Sequence, residues 1–367
     1  MKKFISVLLI LFVSITTAFA QSASQSPVIY ELTLDEAINL AYIDNPQLTA
    51  NEMAQQSHKI SIKSANLSKY KLKDMAVSMS SGVDMLLLKE GYYVNAAKTQ
   101  LMLSELENKK IHSNIAYNVT ESYYNLVLLQ KLVNAAQNAY DLAVANQKTV
   151  DAQFELGLIA RLDYENASVA SKRALSALES YKLNYEIAHQ NLKIHLNKDD
   201  ENCIIKVDDN VDCSEFESDV NNDVLSAMNT RYDVTALKES MNLAKEHFDI
   251  ASVLTEDSAA YNSSYSSYIN ADYNYTHNSK LIALSIKSAY NNIITSHSNM
   301  DTSAKLYEIK LKEYDSTNLK YQLGMITNLE LTKAINELYE AQTNFANAKI
   351  TYKLAVEKYK YEISTGL

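Results

Sequence analysis

The chain has only two thiols, Cys203 and Cys213, set close together in Asp- and Asn-rich sequence. In an exported protein an even pair suggests a disulfide. Closing so short a loop would stabilise the fold by roughly 3 kcal/mol in the chain-entropy picture. The alternative is two free thiols kept in a reducing or anaerobic setting. A metal site is not supported, because no His lies nearby in sequence to complete a ligand set. The seven His residues are scattered, with no H-E-x-x-H or other paired-ligand spacing. There is no G-x-S-x-G elbow, P-loop or G-x-G-x-x-G turn. Acid pairs such as Asp199-Asp200 and Asp208-Asp209 sit in polar linker sequence and read as solvated rather than catalytic. The expectation is a protein without enzymatic chemistry and without a cofactor.

The residues with positional meaning are instead those that end and start helices. Gly157 and Gly324 read as C-caps in the left-handed conformation. Thr327-x-x-Glu330 then forms a capping box for the following helix. In the first repeat Ala160 takes the cap position, so Asp163 has no hydroxyl partner, although its charge still favours a helix N-terminus. Only five glycines and two prolines, Pro27 and Pro46, occur in all 367 residues. Those are the residues that interrupt helices, so very long helices are expected.

The compartment is read from the first residues. Lys2 and Lys3 precede an apolar run from Phe4 to Val13, and Ala18-Phe19-Ala20 stands before Gln21. That is the layout of a secretory signal peptide over 1–20; the other reading, an uncleaved anchor, meets an apolar run far shorter than the ~20 residues a spanning helix needs. No Cys follows the cleavage site, which argues against a lipoprotein. Without the two signal lysines the balance is 32 basic against 44 acidic residues, net −12. Such acidity does not suit nucleic acid, whose binding depends on Lys and Arg neutralising phosphates.

A duplication organises the rest. Phe154-Glu155-Leu156-Gly157-Leu158-Ile159 matches Tyr321-Gln322-Leu323-Gly324-Met325-Ile326. The same offset of 167 pairs Tyr123 with Tyr290, Tyr140 with Tyr307, Ala174 with Ala341 and Tyr185 with Tyr352. A weaker echo sets Ala41 to Leu48 against Ala227 to Val234. After the second glycine, Leu331, Ala334, Leu338, Ala341, Phe345, Ala348, Tyr352, Ala355 and Tyr359 follow a coiled-coil heptad. Before the first, Val119, Tyr123, Leu126, Val133, Tyr140 and Val144 keep the register, with Gln130, Gln137, Gln147 and Asp151 between them. The pattern predicts helices from about 98 to 155 and from about 280 to 322, roughly 85 and 65 Å long, each folded back on a partner of about 55 Å. Such rods bury only a stripe, so oligomers are expected. The units are a first hairpin repeat over 21–196, a Cys-bearing linker over 197–222 and a second repeat over 223–367.

Three stretches resemble the TolC-like outer-membrane efflux proteins. Leu32 to Ala41 followed by Asn45-Pro46-Gln47-Leu48 resembles that family's opening helix, Ser122-Tyr123-Tyr124-Asn125-Leu126 its recurrent aromatic segment, and each Gly-x5-[Asp/Glu] turn its periplasmic hairpin tip. The resemblance implies a mainly α fold, a tandem repeat of long antiparallel coiled-coil hairpins. It implies a homotrimeric duct of twelve helices in the outer membrane and periplasm, passive in transport. A periplasmic adaptor and an inner-membrane pump would dock at the tips, at Gly157, Leu158, Gly324 and Met325. It also implies an acidic constriction near the tips, which falls on Glu330 with Asp163 as its first-repeat counterpart; helix capping is the plainer role for Glu330. The family places outer-membrane strand hairpins in slots that correspond to 70–94 and 256–280. Met75, Val77 and Met79 alternate in the first slot, whereas Tyr261, Tyr265 and Tyr268 in the second have helical spacing. Short or degenerate strand inserts are therefore expected. The competing reading is a coiled-coil scaffold or adhesin of the envelope that lacks the barrel and transports nothing.

Overall fold

The computed structural model describes residues 28–72, 82–199, 202–254 and 258–366. The signal-peptide reading over 1–20 lies outside them. In chain order the elements are β1 (Val28–Leu32), α1 (Leu34–Tyr42), α2 (Pro46–Lys71), α3 (Val83–Glu90), α4 (Tyr92–Glu155) and α5 (Arg161–His195). They are followed by β2 (Cys203–Val207), α6 (Val220–Thr230), α7 (Tyr232–Ala251), α8 (Ala259–Gln322) and α9 (Asn328–Ser364).

The two long helices, α4 and α8, have 64 residues each. At 1.5 Å per residue each runs about 96 Å. Both ends of α8 fall 167 positions after those of α4, and α9 starts 167 after α5. Both long helices start earlier than the expected 98 and 280. The reason for the second is local: Ser258 accepts a hydrogen bond from the Tyr261 backbone N–H and caps α8 there. Tyr261, Tyr265 and Tyr268 then ring Phe248 of α7 at centroid distances of 5.5, 5.2 and 6.1 Å. The helical spacing of those tyrosines prevails over the alternation of Tyr273 and Tyr275 that follows. In the slot over 256–280 the expectation of a strand insert is therefore corrected: the described residues from Ala259 onward are helical. In the slot over 70–94 the described residues hold the end of α2, the helix α3 and the start of α4. Residues 73–81, with the alternating methionines, lie outside the described ones.

α4 packs along α5, α8 along α9, and α4 along α9, so the four lie side by side in the order α5–α4–α9–α8. The buried residues explain that order. α9 carries two apolar stripes, the expected seam (Leu331, Leu338, Tyr352, Tyr359) and a second one (Ile335, Ala346, Ile350). The seam meets α8, where Phe345 stacks on Tyr307 and Tyr290 packs on Tyr359. Ile350 of the second stripe belongs to the core built around Val119, Tyr123 and Leu126 of α4. Polar seam members of α4 hydrogen-bond within the helix: Gln130 donates to Asn134, Gln137 to Asp141 and Gln147 to Asp151.

At the middle of the rod β1 and β2 form a parallel pair, with Val28 opposite Cys203 and Leu32 opposite Val207. Tyr123 ties this pair to α4: its hydroxyl donates to Leu32 O at 3.0 Å and accepts from the Asp208 N–H at 2.9 Å. His189 of α5 is the second tie, its Nε2 accepting from the Ile205 N–H at 2.9 Å. Burial, more than the nearby Lys193, lowers the pKa of His189 below 6.5, against the raising effect of Glu186. Only the neutral ring can accept that bond. A depressed folded-state pKa means stability that is present above the unfolded value and lost as pH falls below about 6.5. We expect urea-unfolding midpoints to drop between pH 7 and pH 5, and His189→Gln to flatten that part of the pH profile.

Candidate functional site

The turns at one end of the rod are built as the sequence indicates. Gly157 and Gly324 have φ of +70° and +71°. Leu158 N–H donates to Gln153 O and Gly157 N–H to Phe154 O; Met325 and Gly324 repeat this with Lys320 and Tyr321, all at 2.9 Å. Each is a Schellman closure. The capping box is present as well: Thr327 Oγ1 accepts from Glu330 N–H, and Glu330 Oε2 accepts from Thr327 N–H at 2.8 Å. That backbone hydrogen bond, with the Thr327 hydroxyl second, holds the Glu330 carboxyl below the usual range. Ala160 gives α5 no side-chain cap, and Asp163 is half-buried in its first turn. The cap residues nevertheless share one backbone conformation, φ −74° and ψ 151° at Ala160 against −80° and 159° at Thr327. Ala160→Thr should therefore add about 0.5–1 kcal/mol to the first tip, seen as slower amide exchange over the first turn of α5.

Between the turns lies a polar network that the sequence did not reveal. Asn328 of α9, buried, donates to Asn146 Oδ1 of α4 at 2.5 Å, and Asn146 donates to Thr332 Oγ1 at 3.3 Å. Tyr321 of α8 donates to Gln153 of α4 at 3.4 Å. These bonds join the two hairpins just behind their tips. The tips themselves expose apolar side chains in matched pairs: Leu156 with Leu323, Leu158 with Met325, and Leu162 with Leu329. The matching was legible in the repeat; that all six face solvent was not.

A second exposed apolar set runs along the sides of the four-helix layer. On α5, Leu162, Val169 and Leu183 recur at heptad spacing, joined by Ile187 and Ile194. On α8, Leu281, Ile309 and Leu323 do the same, with Leu284 and Leu319 beside them. Met53, Ile60 and Leu67 are exposed at heptad spacing on α2, which packs along α4. α5 and α8 are the two outer helices of the layer, and each keeps one buried and one exposed seam.

The disulfide reading is corrected: Cys203 and Cys213 are both free thiols. Cys203 opens β2, with its Sγ 4.0 Å from Lys198 O, whereas the Cys213 Sγ lies 3.8 Å from Lys349 O on α9. The extended strand between them carries the chain away at about 3.3 Å per residue. Burial pushes the Cys213 thiol pKa up, which makes it less reactive. Among the described residues no group of His, Cys, Asp or Glu is placed to hold a metal ion.

The site is thus a surface rather than a pocket: two capped turns crowned with leucine and methionine, and two open helix edges. Comparison with protein-family models and with curated proteins finds no significant match. Solved structures do match. The CmeC outer membrane channel of Campylobacter jejuni superposes with a TM-score of 0.74 at 14% identity, over 91% of this chain and 86% of that one. The outer membrane protein VceC of Vibrio cholerae gives 0.75 at 13%, over 91% and 97%. A membrane protein from Pseudomonas aeruginosa gives 0.77 at 12%, over 91% and 90%. The chain has the fold of these outer-membrane channels, the TolC-like tandem of helical hairpins. At such identities the fold is what they share.

Proposed function

We propose that the protein is the helical duct of an export assembly in the bacterial envelope, a passive conduit rather than an enzyme. The carrying observation is the pair of unpartnered edges. An open layer with an exposed heptad seam on α2 and α5 at one side and on α8 at the other is complementary head to tail. A head-to-tail contact that closes on itself generates a ring. Three copies, as the resemblance implies, would close twelve helices around a hollow interior. The apolar tip crown around Gly157, Leu158, Gly324 and Met325 is where a periplasmic adaptor and an inner-membrane pump would dock.

In this reading Asp163 and Glu330 are the acidic groups at the mouth of the duct. Glu330 is engaged in its capping box, so its first role is to start α9. Glu330→Gln, with single-channel conductance and cation block measured in planar bilayers, separates the two roles. Unchanged block with earlier thermal unfolding assigns Glu330 to capping alone; weakened block assigns it to the constriction.

A second reading is favoured by one observation: among the described residues neither strand slot contains a strand. A coiled-coil envelope scaffold without a barrel would keep the same rod and conduct nothing. Conductance by the purified, assembled protein separates the two readings, and a closed ring without conductance would leave the scaffold.

A further inference from the structure

The end of the rod opposite the turns has a different surface chemistry. There α2 ends, α3 crosses, and α4, α7 and α8 come together: Tyr92 packs on His247 at 5.3 Å, and Asn95 donates to Glu246 at 2.7 Å. The large side chains left facing solvent include three tyrosines, Tyr70 at 73%, Tyr93 at 38% and Tyr265 at 46% exposure, together with Leu67 and Val253. The turn end exposes leucine, methionine and Phe154, and no tyrosine among its exposed large side chains. Beside Tyr70, the side chains of Asn66, Lys69, Leu72 and Lys89 line a cavity of about 600 Å³. Lys69 Nζ also donates to Glu90 O at 3.1 Å, at the C-terminus of α3. The acids of this end are Asp84, which accepts from the Tyr93 hydroxyl at 3.2 Å, Glu90, Glu246 and the exposed Asp249.

A tyrosine has an apolar body and a polar tip, and it partitions to the headgroup level of a bilayer. Leucine shows no such preference. Lysines lay their stems on apolar surface and extend the ammonium to water or phosphate. No helix among the described residues is long and apolar enough to cross a membrane. Lysines beside an apolar cavity, under a tyrosine collar, match the phosphate and upper acyl segment of a lipid.

We propose that this end seats peripherally on an anionic lipid surface, with a headgroup phosphate between Lys69 and Lys89 and the tyrosine rings at headgroup depth. The proposal rests on the duct reading only for which end faces a membrane.

The test is co-flotation of the purified protein with phosphatidylethanolamine–phosphatidylglycerol vesicles and with phosphatidylcholine vesicles. Expected is binding to the first, several-fold weaker binding to the second, and release by high salt. Tyr70→Ser with Tyr265→Ser, and separately Lys69→Gln with Lys89→Gln, should each weaken binding on the order of tenfold. Lys89→Gln alone keeps the test valid if losing Lys69 disturbs α3, and circular dichroism checks each fold. Absence of flotation, flotation unchanged in these variants, or retention through both salt and alkaline carbonate would overturn the proposal. Native mass measured on the same samples reads ring closure separately, so a failed duct and a failed lipid contact are distinguishable.

Discussion

Arg231→Met is expected to destabilise the protein by about 3 kcal/mol or more, the range for a buried ion pair that loses one partner. The guanidinium is only 4% exposed and is fully engaged. Its Nη2 and Nε donate to Asp233 at 2.7 and 2.9 Å, and its Nη1 donates to the Glu362 carboxylate at 2.9 Å and to Glu362 O at 2.6 Å. It joins the α6–α7 corner to the end of α9, 131 residues away in sequence. Methionine would fill much of the volume but leave the Glu362 carboxylate, 15% exposed, without its cation. Urea unfolding should show the loss, and amide exchange should place it first at the end of α9. Adding Asp233→Asn and Glu362→Gln should restore part of the stability, because the uncompensated charges go with the cation. Gly366 adds a local check: a Cβ there would stand 2.4 Å from Arg231 Nη2, on a residue with φ of +77°.

Leu183→Glu with Ile187→Glu is expected to convert the assembled protein into monomer. Both side chains face solvent in the single chain, on the outer seam of α5. A closed ring would bury them against α8 of the next copy. Carboxylates placed there lose apolar burial and must be desolvated without partners, at several kcal/mol per contact. The monomer should keep its helix content, since the α4–α5 core uses the opposite seam, with Ala167, Leu178, Ala188 and Leu192 buried. Ile309→Glu on α8 should give the same result from the other edge. Native mass spectrometry in detergent reads the outcome, and an unchanged mass would rule out closure through these edges.

The fold's repeat was legible because helix breakers are so scarce. α4 and α8 run without a glycine or proline up to their stops at Gly157 and Gly324, and the heptad then sets which stripe is buried. The second slot shows where that legibility ends. Tyr261, Tyr265 and Tyr268 can be read as a helix face, and Tyr273 and Tyr275 as alternation; contact with Phe248 decides for the helix. Arg231 also escaped notice. Its counterpart in the weaker echo is Asn45, which caps α2 by accepting from the Gln47 N–H at 3.0 Å. The same position in the two halves therefore serves as a cap in one and a buried cation in the other, and only a residue far along the chain, Glu362, makes the difference.

By itself the sequence determined the helical hairpins, their turns and the capping box at Thr327 and Glu330. These are local matters, set by φ preferences and by side chains three or four positions apart. The tertiary structure decided the rest: which stripe of α9 meets α4, that Cys203 and Cys213 stand apart, that Asn146 and Asn328 bind the two hairpins, and that α5 and α8 are left as open edges. Each depends on residues distant in the chain, and no periodicity records which distant surface will arrive.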